Sequence, residues 1–246
     1  MDSNAPPQNG FLKSLSKDDF EAIRPHLRTA KLSQGQVLQD LGDPINQVFF
    51  PHDCVLSRML ELDSGNSVDV SLIGPDSLLG ALAAAGVPAA KSGAVAVLPG
   101  ITSIIDTDRL RKVAEQSPTL TKILARHGQA VLARAQQAVS CKTLHSVEAR
   151  LARWLLELRD LSGSDRFMLT PELIAQMIGA RSNSIAIVAH TLEQQGCITC
   201  GGGRVEITDA NRLAEAACTC YAVIKTQHEQ LLRDVGRSLE CREIAH

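Results

Sequence analysis

Six residues of this chain have the types and spacing to hold a nucleic acid: Arg181, Ser182, Asn183, Ser184, Ile187 and Arg204. Arginine and serine donate to phosphate oxygens, asparagine pairs bidentately with adenine, and isoleucine meets a thymine methyl. The elements that must carry them can be read in LTPELIAQMIGARSNSIAIVAHTLEQQG, residues 169–196. Leu169, Leu173, Ile174 and Ile178 recur at helical spacing, and Pro171 suits a first turn that needs no amide donor. Gly179 sits where that helix would end, and Ser182, Asn183 and Ser184 offer capping side chains for a second helix. Ile185, Val188, Ala189 and Leu192 form its buried face, and Gly196 stops it. Two short helices joined by a turn containing glycine make a helix-turn-helix, whose second helix lies in the major groove of DNA. The alternative is an ordinary helical hairpin in a core.

The next residues, CITCGGGRVEITD, give an apolar start, a turn at Gly201, Gly202 and Gly203, and an alternating strand through Val205 and Ile207. They predict the small hairpin of a winged helix, with Arg204 placed to meet a phosphate. A glycine cradle for a nucleotide needs a helix after the turn, and here a strand follows.

Cys197-x-x-Cys200 and Cys218-x-Cys220 invite a metal-binding interpretation. However, LAEAACTCYAVI reads as one helix, on which Cys218 and Cys220 point to nearly opposite sides. They cannot share an ion unless that helix is broken, so no metal or other cofactor is expected. An oxidisable thiol at Cys197 or Cys200 beside the wing is a separate idea. The seven histidines show no H-x-H or H-E-x-x-H pattern, and no nucleophile–base spacing stands out, so no enzyme is expected.

A chain of 246 residues has room for two domains with cores of their own. Net charge is −2 and 44 % of residues are hydrophobic, which marks a globular protein rather than a disordered or strongly basic one. Aromatic residues are only 3 %, too few for a base-stacking single-strand platform. The N-terminus shows no export signal and no apolar stretch reaches membrane-spanning length, so a cytoplasmic protein with reduced thiols and no membrane contact is expected.

Residues 1–10 read as a disordered tail and 11–30 as short helices, with Ser16 capping the second. Residues 31–108 alternate short apolar runs with turn signals at Gly35, Gly42-Asp43-Pro44, Asp63-Ser64-Gly65-Asn66 and Gly74-Pro75-Asp76, which implies a β-roll or sandwich. A helix opens at Asp106 or Thr107, and Ser117-Pro118 opens a longer one running to about Leu144. Along it Leu120, Leu124, His127, Val131, Ala138 and Cys141 form a seam, with small residues that would admit a partner helix. A second copy of the chain is the expected partner, giving a homodimer. The alternative is that the seam packs on the chain's own β-roll. Ser146 starts the next helix, with Leu151, Trp154, Leu155 and Leu158 buried, and Lys142–His145 is the expected hinge. The expected domains are therefore an effector-sensing β-roll over 11–116, a dimerisation helix and hinge over 117–145, and a winged helix-turn-helix over 146–246. The fold class is α+β.

This order of elements, with LHSVEARLARWLL (144–156), residues 169–196 and AACTCY (216–221), resembles the Crp/Fnr family of bacterial transcription regulators along nearly the whole chain. The resemblance implies a cyclic-nucleotide-binding-like roll, a homodimer on a palindromic duplex site, a contact with RNA polymerase and a small-molecule effector. Two departures qualify it. Cyclic-nucleotide members carry Gly-Glu early in the phosphate-binding cassette and Arg-Ser about ten residues later. Here the matching positions are Gly80-Ala81 and Lys91-Ser92, which lack the ribose acceptor and the guanidinium fork, so cyclic AMP is not the expected effector. The oxygen-sensing members use an N-terminal cysteine group, and this chain has no cysteine before Cys54.

The second departure is in the reading head, where the positions facing base edges hold Ser182, Asn183, Ala186 and Ile187 rather than the Arg or Glu of the best-known members. Residues 147–246 also carry 11 Lys and Arg against 13 Asp and Glu, a balance of −2. Such a domain starts with little nonspecific attraction for duplex DNA. A sensor or adaptor that kept the fold and lost DNA binding is the competing expectation.

Overall fold

The computed structural model describes residues 8–61, 67–84, 86 and 89–226. Asn9 is fully buried and caps α1 (Gly10–Lys13), its Oδ1 accepting from Leu12 N at 3.1 Å and its Nδ2 donating to the carbonyls of Pro51 and Ser77. Residues 8–10, expected to belong to a disordered tail, are instead held in place, because Asn9 satisfies buried carbonyls; residues 1–7 of that expectation lie outside the described residues. Ser16 caps α2 (Lys17–Ile23) as expected, its Oγ accepting from Asp19 N.

Strands follow as β1 (Arg28–Leu32), β2 (Val37–Gln39), β3 (Gln47–Pro51), β4 (Val55–Glu61) and β5 (Ser67–Ile73). After the short α3 (Ala81–Ala84) come β6 (Gly93–Leu98) and β7 (Gly100–Asp106). They form two antiparallel-paired sheets, β1-β7-β3 and β2-β6-β4-β5, the roll that the short apolar runs predicted. The turn signal at 63–66 lies outside the described residues. Next are α4 (Thr107–Gln116), α5 (Pro118–Leu144) and α6 (Val147–Ser162), the last capped by Ser146 Oγ. The C-terminal elements are β8 (Arg166–Met168), α7 (Pro171–Ile178), α8 (Ser182–Gln194), β9 (Ile198–Gly201), β10 (Arg204–Ile207) and α9 (Ala210–Ala216), with β8-β10-β9 a third sheet.

Two compact units result, and they divide the chain differently from the expected domains. The first takes the described residues up to 56 and those of 73–132; the second takes 57–72 and 133–225. The hairpin arms of β4 and β5 therefore belong with the helix-turn-helix unit, and α5 runs from one unit into the other. In the first unit Phe11, Leu12, Phe50, Leu78, Leu110, Leu120, Ile123 and Leu124 share one core. In the second, Leu151, Trp154, Leu155 and Leu158 of α6 are sealed from solvent together with Ile174, Ile178, Ile185 and Leu192.

Candidate nucleic-acid interface

The helix-turn-helix is built from local signals. Thr170 Oγ1 accepts from Leu173 N at 3.2 Å, Pro171 opens α7, and Gly179 closes it with φ +69°, its N–H donating to Ala175 O at 2.9 Å. An L-residue pays for that left-handed backbone, and a Cβ there would also lie 2.6 Å from Val68 Cγ2. Arg150 of α6, itself buried, donates from Nη1 to Ile178 O at 3.2 Å and satisfies a terminal carbonyl of α7. Buried Ile185 and Leu192 seat α8, while Val188 and Ala189 are half-buried.

The start of α8 differs from expectation. Ser182, Asn183 and Ser184 do not cap it; the N-cap is Arg181, whose side chain makes no cap hydrogen bond. Arg181 is exposed at the helix N-terminus, and among the described residues no side chain accepts from the first-turn amides. That is the arrangement by which a helix end takes a phosphate. Arg181, Ser182, Asn183 and Ile187 are exposed, Ile187 by 68 %, and Ser184 is half-buried.

Behind this face stands the wing. β9 and β10 pair antiparallel with Gly201 opposite Arg204, leaving Gly202 (φ +60°) and Gly203 (φ +72°) as a two-residue turn with both φ positive. Glycine takes both positions of that turn without strain, which accounts for Gly202 and Gly203. Leu169 N donates to Gly203 O at 2.8 Å and Cys200 N to Glu193 Oε1 at 3.1 Å, tying the wing to the residue before the α7 cap and to α8. β8 joins β10 as a third strand that the sequence reading missed. Arg204 is exposed on the wing. Neighbouring cations are already engaged: Arg166 with Glu206 at 2.9 Å and Arg212 with Asp209 at 3.5 Å. Arg181 and Arg204 form no ion pair or side-chain hydrogen bond among the described residues. His190 lies exposed on α8 near Glu193 and Gln194, as expected for a solvent-facing residue.

The other candidate residues fare differently. Leu120, Leu124 and His127 are 0 %, 4 % and 2 % exposed, packed inside the first unit; His127 Nε2 lies 2.7 Å from Ser77 Oγ. They are therefore unavailable to a partner helix, and packing on the chain's own roll is the correct alternative for this end of α5. Val131 and Ala138 are half-buried. The exposed side of α5 instead carries Ala125, Gln129, Leu132, Gln136 and Val139, one step around the helix from the expected seam. Of the cassette positions, Gly80, Ala81 and Ser92 are buried, Ala81 within the hydrophobic core, and only Lys91 is exposed.

Thiols and buried charges complete the second unit. Cys197 is buried at the start of the wing; burial, then Asp209, pushes its thiol up, and partial burial followed by Glu193 does the same for Cys200. Both shifts disfavour the thiolate from which thiol oxidation proceeds. The expected single helix over Cys218 and Cys220 is broken: α9 ends at Ala216, Ala217 is extended (φ −74°, ψ 152°), and helix resumes at residue 220. Cys218 and Cys220 thereby converge with Cys141 and His145, all four ligand atoms lying within 4.8 Å of one another. Sequence reading missed this group, although Cys141 and His145 are four apart, the spacing that stacks side chains on one helix face. Nearby, Arg153 and Arg134 both pair with Glu157, all nearly buried. Asp69 is wholly buried; burial pushes its carboxyl up to about 6, against a hydrogen bond from Ser57 and the nearby Lys142 ammonium.

Known proteins with the same features set these observations in place. Residues 149–216 match the Crp-like helix-turn-helix domain. The chain is 22 % identical over 216 residues, 85 % of its own length and 96 % of the relative's, to the CRP-like cAMP-activated global transcriptional regulator of Mycobacterium tuberculosis. Its fold matches that of FixK2 from Bradyrhizobium japonicum with a TM-score of 0.65 at 16 % identity, covering 78 % of this chain and 98 % of that one. A Crp/Fnr-family transcriptional regulator from Thermus thermophilus gives 0.63 at 22 % identity, covering 77 % and 98 %. Among the described residues no helix is long and apolar enough to cross a membrane. Residues 149–216 are thus a Crp-like helix-turn-helix domain, and the chain that carries them has the fold of the Crp/Fnr regulators.

Proposed function

We propose that this protein is a transcription regulator that binds duplex DNA as a homodimer, with α8 in the major groove and the wing on the flanking backbone. The observation that carries this is the pair of exposed guanidiniums, unpaired among the described residues: Arg181 at the N-terminus of α8 and Arg204 on the wing. Phosphate neutralisation supplies much of the affinity for DNA, and among the described residues these two cations have no protein partner to give up. Asn183 and Ile187, exposed on the same helix, favour A·T-rich half-sites. The proposed dimer contact is the exposed face of α5, where Leu132 is 52 % and Val139 66 % exposed. Two copies of α8 would then meet half-sites about one DNA turn apart. A signal in the first unit would act by changing the spacing of the two recognition helices.

The relative from Mycobacterium tuberculosis is cAMP-activated; a different effector, or none, is proposed for this chain. Ala81 has no carboxylate for a ribose and packs in the core, and Lys91 stands in solvent where a buried guanidinium fork would be needed. No catalytic step belongs to this function.

A non-DNA-binding adaptor is the second reading, favoured by the −2 balance of residues 147–246 and by the exposed Ile187. Selection of bound duplexes from a random pool at low and near-physiological salt separates the two. Regulation predicts enrichment of a two-fold symmetric motif that R181A abolishes. An adaptor predicts no enrichment at either salt by folded, dimeric protein.

A further inference from the structure

We propose that Cys141, His145, Cys218 and Cys220 form a binding site for one thiophilic divalent metal ion, zinc by its chemistry. The four come from two separate pieces of chain. Cys141 lies in the last turn of α5 and His145 directly follows the helix, its N donating to Cys141 O at 3.1 Å in a continuation of the helical turn that brings the two side chains to one side. Cys218 and Cys220 come from the break after α9, where Ala217 is extended, and their thiols converge on the ligand atoms of the first piece.

The spacing suits a single ion. Cys141 Sγ lies 3.5 Å from Cys218 Sγ, Cys220 Sγ lies 3.5 Å from His145 Nδ1, and every ligand pair is within 4.8 Å. Zinc–sulfur bonds of about 2.3 Å and zinc–nitrogen bonds of about 2.0 Å place tetrahedral ligands roughly 3.6–3.8 Å apart. Only small side-chain adjustments separate the two arrangements. Three thiolates and one imidazole are a closed structural set with no position left for substrate. The three cysteines are buried and His145 half-buried, as a site shielded from competing water requires.

The surroundings support the same assignment. Gln137 Nε2 donates to Cys220 Sγ at 3.0 Å, an outer hydrogen bond of the kind that orients a metal thiolate. Three thiolates around a divalent cation leave one negative charge, and the Arg150 and Arg153 guanidiniums lie close enough to interact with Cys141. Binding displaces a proton from each thiol to solvent and transfers no electron. The ion would fasten the end of α5 to the segment after α9. Cys218 N already donates to Ala149 O at 3.3 Å there, and Tyr221 and Lys225 reach Asp160 of α6 at 2.8 and 3.5 Å.

The test uses the full chain, purified without chelator, in elemental analysis, followed by titration of the metal-free protein with cobalt. The expected result is about one zinc per chain, with cobalt giving the intense visible absorption of a tetrahedral thiolate site. C218S should lower metal content at least tenfold while C200S keeps it, and Q137A should weaken affinity about 10–100-fold. Wild-type protein with no bound zinc and no cobalt spectrum, its cysteines either all reactive or joined as a Cys141–Cys218 disulfide, would overturn the proposal. So would a brown protein containing iron and sulfide.

Discussion

The N-terminus of α8 and the interior around α6 treat charge in opposite ways. On α8, the side chain of the N-cap Arg181 makes no cap hydrogen bond, pairs with nothing among the described residues and stands in solvent. Around α6, Arg134 and Arg153 share Glu157, Arg150 holds a helix carbonyl, and Asp69 is sealed against Ser57 and Lys142. Charges that are already compensated cannot be offered to a partner, whereas uncompensated ones at the surface cost little until a partner arrives. The difference separates residues that hold the domain together from residues proposed to contact DNA. Substitutions in the first group should change stability, and substitutions in the second should change binding alone.

The largest effect should come from Glu157→Ala. It leaves the Arg153 and Arg134 guanidiniums in the interior without their shared carboxylate, which should cost about 3–5 kcal/mol in denaturant unfolding. Duplex affinity per folded molecule should stay as it was.

Asp69→Asn should act in the other direction. The carboxyl of Asp69 is raised from 3.8 to about 6 by burial, so the folded state holds its proton more tightly than the unfolded one. Its stabilising contribution is full below pH 3.8 and is lost as pH rises through about 6. Asparagine keeps the hydrogen-bonding shape without the charge. Above about pH 6 the variant should therefore be more stable than wild type by on the order of 1–3 kcal/mol. Unfolding curves taken between about pH 4 and 8 should also be flatter for it.

Gly179→Ala blurs the boundary between the two groups. The left-handed backbone should cost about 1–2 kcal/mol, and the added methyl presses on Val68. Because the strain falls in the turn that aims α8, DNA affinity should fall beyond what the loss of folded protein explains.

How far the sequence foretells each region follows from how each is built. The α7–α8 pair and the wing rest on contiguous signals: Thr170 and Pro171 at a helix start, Gly179 at its end, Gly202-Gly203 in the hairpin. Period and turn chemistry within one short window were enough for these. The predicted seam of α5 falls on a face that the chain's own core covers, because leucine and alanine pattern alone cannot show which face the roll takes. Leu120 and Leu124 went to the chain's own core, leaving Leu132 and Val139 outside. The assignment of 57–72 to the helix-turn-helix unit depends on tertiary contacts such as Gln176 Nε2 donating to Ser67 Oγ, which no local pattern announces. The cysteine cluster was obscured by a plausible continuous helix over LAEAACTCYAVI. Its break at Ala217 brings together ligands more than seventy residues apart in sequence.

The most direct test of the central claim is the salt dependence of duplex binding by wild type and by the R181A/R204A double variant, with unfolding measured alongside. If these two cations hold DNA phosphates, the logarithmic salt slope of the dimer should fall by about four, one for each lost contact. Stability should meanwhile stay within about 0.5 kcal/mol, as for ordinary surface substitutions. An unchanged slope and affinity in a folded, dimeric double variant would contradict the assignment of α8 and the wing as the DNA-binding face.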